Sequence, residues 1–307
     1  MDEFGIIQKY FAPLAKGYKG ALGLKDDAAI YTPTIGKELI LTKDAIAQGT
    51  HFFGNEKPEQ IAHKLVAINV SDLAAMGATP KAYLIAMILP KSTDEQWIAG
   101  FTEGLRSATE KFGGHIIGGD TVAHDGKMSF SLTAIGEVPS GKAIKKSGAR
   151  QGDKIYVSGT IGDSYLGLQI LSKKLDIKSS YLKNRYLMPE PKIKLSIKLQ
   201  GVASSCTDIS DGLVADLKHI CGTSGVGAVI NTDNIPLSED AVKSGVSIEK
   251  LITGGDDYEL IFTIPPEIKA PKGAFYIGDI TKNKDVLFLD SNSRPIKTAK
   301  EGYNHFS

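Results

Sequence analysis

Cysteine is scarce in this sequence, and the scarcity argues against several kinds of protein. Cys206 and Cys221 are the two cysteines among 307 residues. Neither belongs to a CxxC pair or to a Cys/His zinc spacing, so the sequence predicts no zinc site. Both lie in apolar runs, which predicts two buried thiols in a protein of a reducing compartment.

Excess charge and long apolar runs are lacking as well. The net charge is +1, so the molecule has no overall basic field to attract nucleic acid. No apolar run approaches the ~20 residues that a membrane-spanning helix needs. The N-terminal segment 1–17 predicts an amphipathic helix with Phe4, Ile7, Phe11 and Leu14 on its apolar side, not a signal peptide. We therefore expect a cytoplasmic protein without a nucleic-acid or membrane partner.

Strand-like and helical runs alternate along the chain, which predicts a mixed α/β or α+β fold. In the first half, strands are predicted at 38–42, 82–90, 115–119 and 128–138, and helices at 59–76 and 93–112. In the second half, strands are predicted at "KIYVSG", "GVASSC", "GAVIN", "YELIFTI", "AFYIGDI" and "VLFLD", and helices at "DSYLGLQILSKKL", from about 191 and at 211–221. The segment 139–153 is rich in glycine, serine and lysine, so we predict two domains, 1–138 and 139–307.

Aspartates recur where predicted strands end or turns begin. They are Asp26, Asp27, Asp44, Asp120, Asp208, Asp211, Asp256 and Asp257. Any one of them fits an ordinary turn, because aspartate bonds nearby backbone N–H groups. Together, and without HExxH or cysteine ligands, they predict a hard cation such as Mg²⁺. Magnesium in proteins usually lies between carboxylates and substrate phosphates, so the acids indicate a magnesium-dependent enzyme that acts on phosphates. The phosphate-binding motifs GxxxxGK[ST] and GxGxxG are both missing, so such an enzyme would work without a P-loop.

Asp72 is unusual because it follows an apolar stripe. The stripe of the predicted helix 59–76 runs through Ile61, Leu65 and Ile68, and Asp72 is its next position. A carboxylate buried there needs a hydrogen bond, an opposite charge or a metal. In the alternative interpretation, Ser71 and Asp72 cap a new helical turn that begins at Leu73.

The segment "TDISDGL" (207–213) offers the same two interpretations. Asp208 and Asp211 lie three residues apart between a predicted strand and a predicted helix, so they fit either a helix cap or a metal site. Ser210 or Asp211 is the expected start of the helix, whose N-terminus would also favour phosphate. Asp216, farther along, is interpreted as an ordinary helix residue.

Several longer strings resemble the thiamine-monophosphate kinase family, in order, from about residue 20 to the C-terminus. They are "GLKDDAAI", "LTKDAIAQGTHF", "KLVAINVSDLAAMGATP", "IIGGDT", "SGARQGDKIYVSGTIGDSYLGL", "TDISDGLVADL", "GGDDYELIFT" and "GYNHF". The resemblance implies an aminoimidazole-ribonucleotide-synthetase-like fold of two α/β domains, with the N-terminal domains paired in a homodimer. It also implies transfer of the γ-phosphoryl group of ATP to thiamine monophosphate, with several Mg²⁺ ions and neither a phosphoenzyme nor a side-chain nucleophile.

The resemblance assigns roles to individual residues. The implied metal-site residues are Asp27, Thr42, Asp44, Asp72, Asp120, Asp208 and Asp211, with Asp26 beside the first. The implied ATP-binding residues are Gly119, Asp120, Lys146 and Ser210. The implied substrate-binding residues are His51, Asp256 and Tyr303. The two C-terminal acids would thus join the N-terminal ones in a shared magnesium–ATP site.

Three positions depart from the family pattern. Lys43 stands where the family has serine or threonine, and its ammonium would either replace part of a metal's charge or point into solvent. Lys146 stands for an arginine and lacks the bidentate fork. Asp256 stands for a glutamate and has a shorter side chain. The alternative functions are a ligase of the aminoimidazole-ribonucleotide-synthetase type and a non-catalytic nucleotide-binding protein of the same fold.

Overall fold

The structure is a computed structural model that describes residues 3–297 and 302–303. The chain forms two compact units. The first comprises Met1–Leu73 and Ala78–Gly141, and the second comprises Ala74–Gly77 and Lys142–Ser307. Each unit combines helices with one sheet, which confirms the predicted mixed fold.

The sheet of the first unit has the strand order β1-β4-β2-β3 in the described residues. β2 and β3 are parallel, and the other two pairings are antiparallel. The elements are β1 Lys37–Ala47, α2 Pro58–Ala75, β2 Thr79–Pro90, α3 Glu95–Phe112, β3 His115–His124 and β4 Ser129–Pro139. β1 therefore extends five residues past the predicted end at Thr42 and places Asp44 inside a strand, not at a strand end.

Two helices pack on one face of this sheet. Phe101 of α3 stacks on Phe130 of β4 with ring centroids 4.8 Å apart, and Asp94 caps α3 by accepting from the N–H of Trp97. α2 is buried on all sides, since Leu65 and Leu73 are fully enclosed and the polar Asn69 and Ser71 are as well. A helix that is buried all round has polar groups that must find partners inside the protein.

The prediction of a single amphipathic helix at the N-terminus is wrong. The segment is divided into a short helix α1 (Glu3–Ile6), a π-helical turn (Ile7–Phe11) and a 3-10 turn (Ala12–Ala15). Pro13 explains the change at the 3-10 turn, because proline has no N–H to continue an α-helical ladder. Phe11 is buried as an apolar anchor, while the side chain of Phe4 lies outside the described residues.

The second unit contains a six-stranded sheet of order β10-β7-β9-β5-β8-β6 in the described residues. β10 and β7 are parallel, and the remaining pairs are antiparallel. The strands are β5 Lys154–Val157, β6 Ser205–Asp208, β7 Gly227–Asn231, β8 Leu260–Ile264, β9 Phe275–Thr281 and β10 Val286–Leu289. The helices are α4 Asp163–Leu171, α5 Ser180–Leu187, α6 Ile193–Leu199, α7 Leu213–Ser224, α8 Glu239–Lys243 and α9 Ile248–Thr253.

Two strands of this unit differ from their predicted positions. The strand predicted at "GVASSC" begins only at Ser205, because a turn follows α6. The strand predicted at "YELIFTI" begins at Leu260, since Tyr258 has a φ of +52° and cannot belong to a regular strand. In the described part of the chain, no helix has the length and apolarity to cross a membrane.

Candidate functional site

Three predicted metal-site residues of the first unit lie together between β1 and α2. The Thr42 hydroxyl donates to Asp72 Oδ2 at 2.5 Å. The backbone N–H of Asp44 donates to Asn69 Oδ1 at 3.1 Å. β1 is an edge strand, so the fully buried Asn69 satisfies an N–H that no neighbouring strand reaches. α2 runs unbroken from Pro58 to Ala75, which makes the helix-cap interpretation of Ser71 and Asp72 wrong.

The two carboxylates of this cluster influence each other. Burial, and then the adjacent Asp72 carboxylate, raise the pKa of Asp44 to about 6. Like charges held close together in a poorly solvated place repel, and a bound cation relieves that repulsion. The donors are all oxygen atoms, the ligands that Mg²⁺ prefers. The site therefore suits a hard divalent cation.

Lys43 points away from this cluster. Side chains alternate along a strand, so Lys43 faces the opposite side of the sheet from Thr42 and Asp44. There it lines a cavity of about 690 Å³ together with Asp26, Asp27 and Asp120. The structure thus divides the predicted metal residues of the first unit between two faces of one sheet.

Gly119 borders the same cavity, next to Asp120. β3 runs so close to β2 at this point that a Cβ on Gly119 would lie 2.0 Å from the backbone oxygen of Ile85. Any side chain here would force the two paired strands apart. The residue that the resemblance assigns to phosphate binding is therefore also required by the sheet.

His51 follows β1, and its tautomer is fixed. Its Nδ1 accepts a hydrogen bond from the backbone N–H of Ala47 at 3.2 Å. A neutral ring that accepts at Nδ1 bears its proton on Nε2. The residue that the resemblance assigns to substrate binding is thus anchored by its ring to the backbone at the end of β1.

In the second unit, the segment Thr207–Leu213 runs from the end of β6 to the first residue of α7, and we call it the acidic loop. It is held by a residue to which the sequence analysis gave no functional role. Its helix, α7, begins at Leu213 with Gly212 as the N-cap and no side-chain cap, so the expected start at Ser210 or Asp211 is wrong. The N–H groups of Ser210 and Asp211 instead donate to Asp216 Oδ2, each at 3.1 Å. Asp216 is 2% exposed and is not the ordinary helix residue that was expected.

The signal for Asp216 was present in the sequence. It lies on the buried side of α7 with Leu213, Leu217 and Ile220, and the argument applied to Asp72 holds equally for this carboxylate. One ligand atom each from Asp211, Asp216 and His219 lies within 4.8 Å of the other two. Burial, and then the charge of Asp211, raise the pKa of Asp216 to about 7.

Lys146 lies near the same loop. Its side chain is exposed, and its charge acts to lower the pKa of Asp216, in opposition to the larger effect of burial. Its backbone oxygen accepts from the Ser224 hydroxyl at 3.5 Å. A compact ammonium is thereby placed beside the acidic loop.

Two further predicted segments meet the loop Thr207–Leu213 within this unit. The backbone N–H of Asp256 donates to the oxygen of Ser210 at 2.8 Å, and that of Tyr303 donates to the oxygen of Asp211 at 3.1 Å. Asp208 itself is buried at the end of β6, opposite Leu260. Backbone bonds thus bring together the parts of the second unit that the resemblance assigns to metal, nucleotide and substrate.

Comparison with known proteins covers nearly the whole chain. Residues 25–138 match the family described as AIR synthase related protein, N-terminal domain, and residues 150–270 match its C-terminal domain. The thiamine-monophosphate kinase of Salmonella typhimurium is 34% identical over 99% of this chain and 98% of its own length.

Solved structures give the same result. The chain superimposes on thiamine-monophosphate kinase from Stenotrophomonas maltophilia with a TM-score of 0.84 and 32% identity, over 96% of this chain and 98% of that one. A structure described as AaThiL complexed with AMPPCP and TMP gives a TM-score of 0.81 and 32% identity, over 99% and 97%. The chain therefore belongs to the thiamine-monophosphate kinase family.

Proposed function

We propose that this protein transfers the γ-phosphoryl group of ATP to thiamine monophosphate, giving thiamine diphosphate and ADP. The observation that carries the proposal is the cluster of Thr42, Asp44 and Asp72, a set of oxygen donors with mutually repelling carboxylates in a chain of this family. The relative complexed with AMPPCP and TMP supports the two substrates.

The proposed reaction joins two polyanions, so the first task of the residues is to offset repulsion. Bound Mg²⁺ ions would supply positive charge that neutralises the phosphates. Thr42, Asp44 and Asp72 would hold one such ion, and Asp27, Asp120, Asp208 and Asp211 remain the predicted ligands of others. We propose direct in-line transfer without a phosphoenzyme, in which positioning and electrostatics provide the catalysis.

The remaining residues would orient the substrates. Gly119 borders the cavity next to Asp120, and Ser210 and Lys146 add a hydroxyl and a positive charge beside the acidic loop. His51, Asp256 and Tyr303 keep the substrate-binding roles that the resemblance assigns to them. These assignments follow the resemblance, and the geometry within each unit is compatible with them.

We also propose that the protein is a homodimer formed through its N-terminal units. One face of the sheet of the first unit presents apolar side chains to solvent: Leu39, Leu41, Leu84, Ile88 and Val122, of which Leu41 is 65% exposed. Such a face is typical of a protein interface. Light scattering should give the mass of two chains, and Leu41→Lys with Leu84→Lys should give one. A monomeric wild type would overturn this proposal.

The activity is tested with ATP, MgCl₂ and thiamine monophosphate, followed by chromatography for thiamine diphosphate and ADP. We expect product from the wild type and from Asp233→Asn, a control at an exposed aspartate of the second unit. Asp72→Asn and Asp211→Asn should abolish turnover while the circular dichroism spectrum stays unchanged, because each loses a charged oxygen ligand.

The other outcomes separate the competing functions. Folded wild-type protein that binds ATP but forms no thiamine diphosphate would overturn the kinase proposal and favour the non-catalytic nucleotide-binding protein. Near-normal turnover of Asp72→Asn at saturating Mg²⁺ would show that this carboxylate is not a metal ligand. Consumption of ATP only with an aminoimidazole-type precursor would indicate the ligase.

A further inference from the structure

The loop "GGDDYEL" contains a hydrogen bond that none of the assigned roles explains. The Tyr258 hydroxyl donates to Asp256 Oδ1 at 3.0 Å. Both residues have a positive φ, +68° for Asp256 and +52° for Tyr258, which costs energy for residues other than glycine. The surrounding structure must therefore hold both of them in place.

Two buried acids on either side of Tyr258 provide that support. Asp257 is 1% exposed and accepts from the N–H groups of Gly162 and Ser164 at the start of α4, at 2.7 and 3.2 Å. Glu259 is equally buried and pairs with Arg185 and Lys192, each at 2.9 Å. Residues 257 and 259 point inward, so the backbone of the loop is fixed on both sides of Tyr258.

The loop is also fixed to its neighbour. The N–H of Tyr258 donates to the oxygen of Ile209 at 2.9 Å, and the N–H of Asp256 donates to the oxygen of Ser210 at 2.8 Å. A Cβ on Gly255 would lie 2.3 Å from that same oxygen of Ser210. The backbones are thus in close contact, and Asp256 keeps a constant position relative to the acidic loop Thr207–Leu213.

The backbone contacts leave the side-chain orientation of Asp256 variable, and the Tyr258 hydroxyl fixes it. Tyr258 is 8% exposed, so its ring is held by packing and its hydroxyl is a rigid donor. A carboxylate held in one rotamer loses less entropy when it binds a ligand than a freely rotating one. A fixed rotamer matters more for Asp256 than for the glutamate of the family pattern, because the shorter aspartate side chain has less freedom to adjust its reach.

We propose that Tyr258 is a positioning residue of the thiamine-monophosphate site, which holds the Asp256 carboxylate toward the positively charged, amino-bearing ring system of the substrate. The inference rests on the proposed function. Thiamine monophosphate carries a thiazolium cation and an aminopyrimidine, and an oriented carboxylate complements either group by charge or by accepting N–H. ATP carries no cationic ring, and the resemblance assigns Asp256 to the substrate and not to ATP, so the effect should be confined to thiamine monophosphate.

The test compares steady-state kinetics of Tyr258→Phe with those of the wild type. The variant keeps the buried ring and loses the hydroxyl. Loss of one hydrogen bond to a charged group predicts that kcat/KM for thiamine monophosphate falls about 10-fold, while the KM for ATP stays within about twofold. The matched control is Tyr276→Phe, which removes a hydroxyl that donates to Asp279 Oδ2 at 2.7 Å on β9, and it should leave both parameters unchanged.

A double-mutant cycle separates positioning from a purely structural role. Asp256→Gly removes the carboxylate and suits the positive φ. In that background, Tyr258→Phe should have no further effect on kcat/KM for thiamine monophosphate, because the group through which Tyr258 acts is gone. Additive effects in the cycle, or an equal rise in both KM values together with a lower melting temperature, would overturn the inference.

The assay also distinguishes the inference from the function on which it rests. A wild-type protein that makes no thiamine diphosphate overturns the proposed function, and the inference with it. Wild-type turnover together with an unchanged kcat/KM for Tyr258→Phe overturns only the inference.

Discussion

Asp216→Ala is the substitution that most directly tests how the acidic loop is held. The carboxylate accepts from the N–H groups of Ser210 and Asp211 at 3.1 Å each. A hydrogen bond to a charged group contributes about 1.5–3 kcal/mol. Burial opposes this gain, as the raised pKa of Asp216 indicates, so we expect the two bonds together to contribute about 3 kcal/mol rather than their full sum.

Two measurements check this estimate. Urea unfolding followed by circular dichroism should show the free energy of unfolding reduced by about 3 kcal/mol. Amide hydrogen exchange should accelerate first at Ser210 and Asp211, because their N–H groups lose the acceptor. Turnover should fall steeply at temperatures where the variant is still folded, since Asp211, a proposed metal ligand, is no longer held in place.

Asp290→Ala is the matched control. Asp290 Oδ1 also accepts from two backbone N–H groups, those of Asn292 and Arg294, at 2.9 Å each, but in a turn after β10. Its side chain is 26% exposed and also accepts from the Arg294 guanidinium. Water can replace these contacts, so we expect a smaller loss of stability than for Asp216→Ala, with full activity. Wild-type turnover of Asp216→Ala, or unchanged exchange at Ser210 and Asp211, would refute the reasoning.

Three further substitutions test other parts of the structure. Lys43→Thr should retain turnover within about threefold, because it restores the residue type of the family pattern and leaves the Thr42–Asp72 cluster on the other face of β1 unchanged. Gly119→Ala should reduce the free energy of unfolding by about 2–3 kcal/mol in urea titrations, since its Cβ would meet the Ile85 oxygen at 2.0 Å. Asp257→Asn should flatten the pH dependence of stability. Burial raises the pKa of Asp257 to about 8, so folded protein binds a proton that unfolded protein, with a carboxyl pKa of about 3.9, releases. The free energy of unfolding of the wild type should therefore fall between about pH 4 and 8, by at most about 1.4 kcal/mol per pH unit from this group.

A specific result would contradict each of these three predictions. A loss of several orders of magnitude in Lys43→Thr would show that the enzyme depends on this ammonium. Gly222→Ala in α7, where no atom lies within 4 Å of the added Cβ, should be neutral or stabilising by up to about 1 kcal/mol; equal losses in both glycine variants would contradict the strand-contact argument. Parallel melting temperature profiles of wild type and Asp257→Asn from pH 5 to 8 would show that the buried carboxyl stays ionised.

The sequence alone was sufficient for the elements whose periodicity is local. The helices predicted at 59–76 and 93–112 correspond to α2 (Pro58–Ala75) and α3 (Glu95–Phe112). The alternation in "MSFSLTAIGEV" predicted β4, with Phe130 and Leu132 on the buried side. The ordered motif strings indicated the family, which the comparisons confirm. These features were accessible because neighbours three, four or two positions apart determine them.

Only the tertiary structure decided how the functional residues are grouped. β1 continues to Ala47, and its alternation sends Lys43 to one face and Asp44 to the other. The roles proposed for Asp216 and Tyr258 depend on contacts with Asp211 and Asp256, and those two loops are joined by backbone hydrogen bonds. Such bonds use N–H and C=O groups that every residue possesses. The identity of the side chains therefore does not reveal them, and they form only when distant segments are folded against each other.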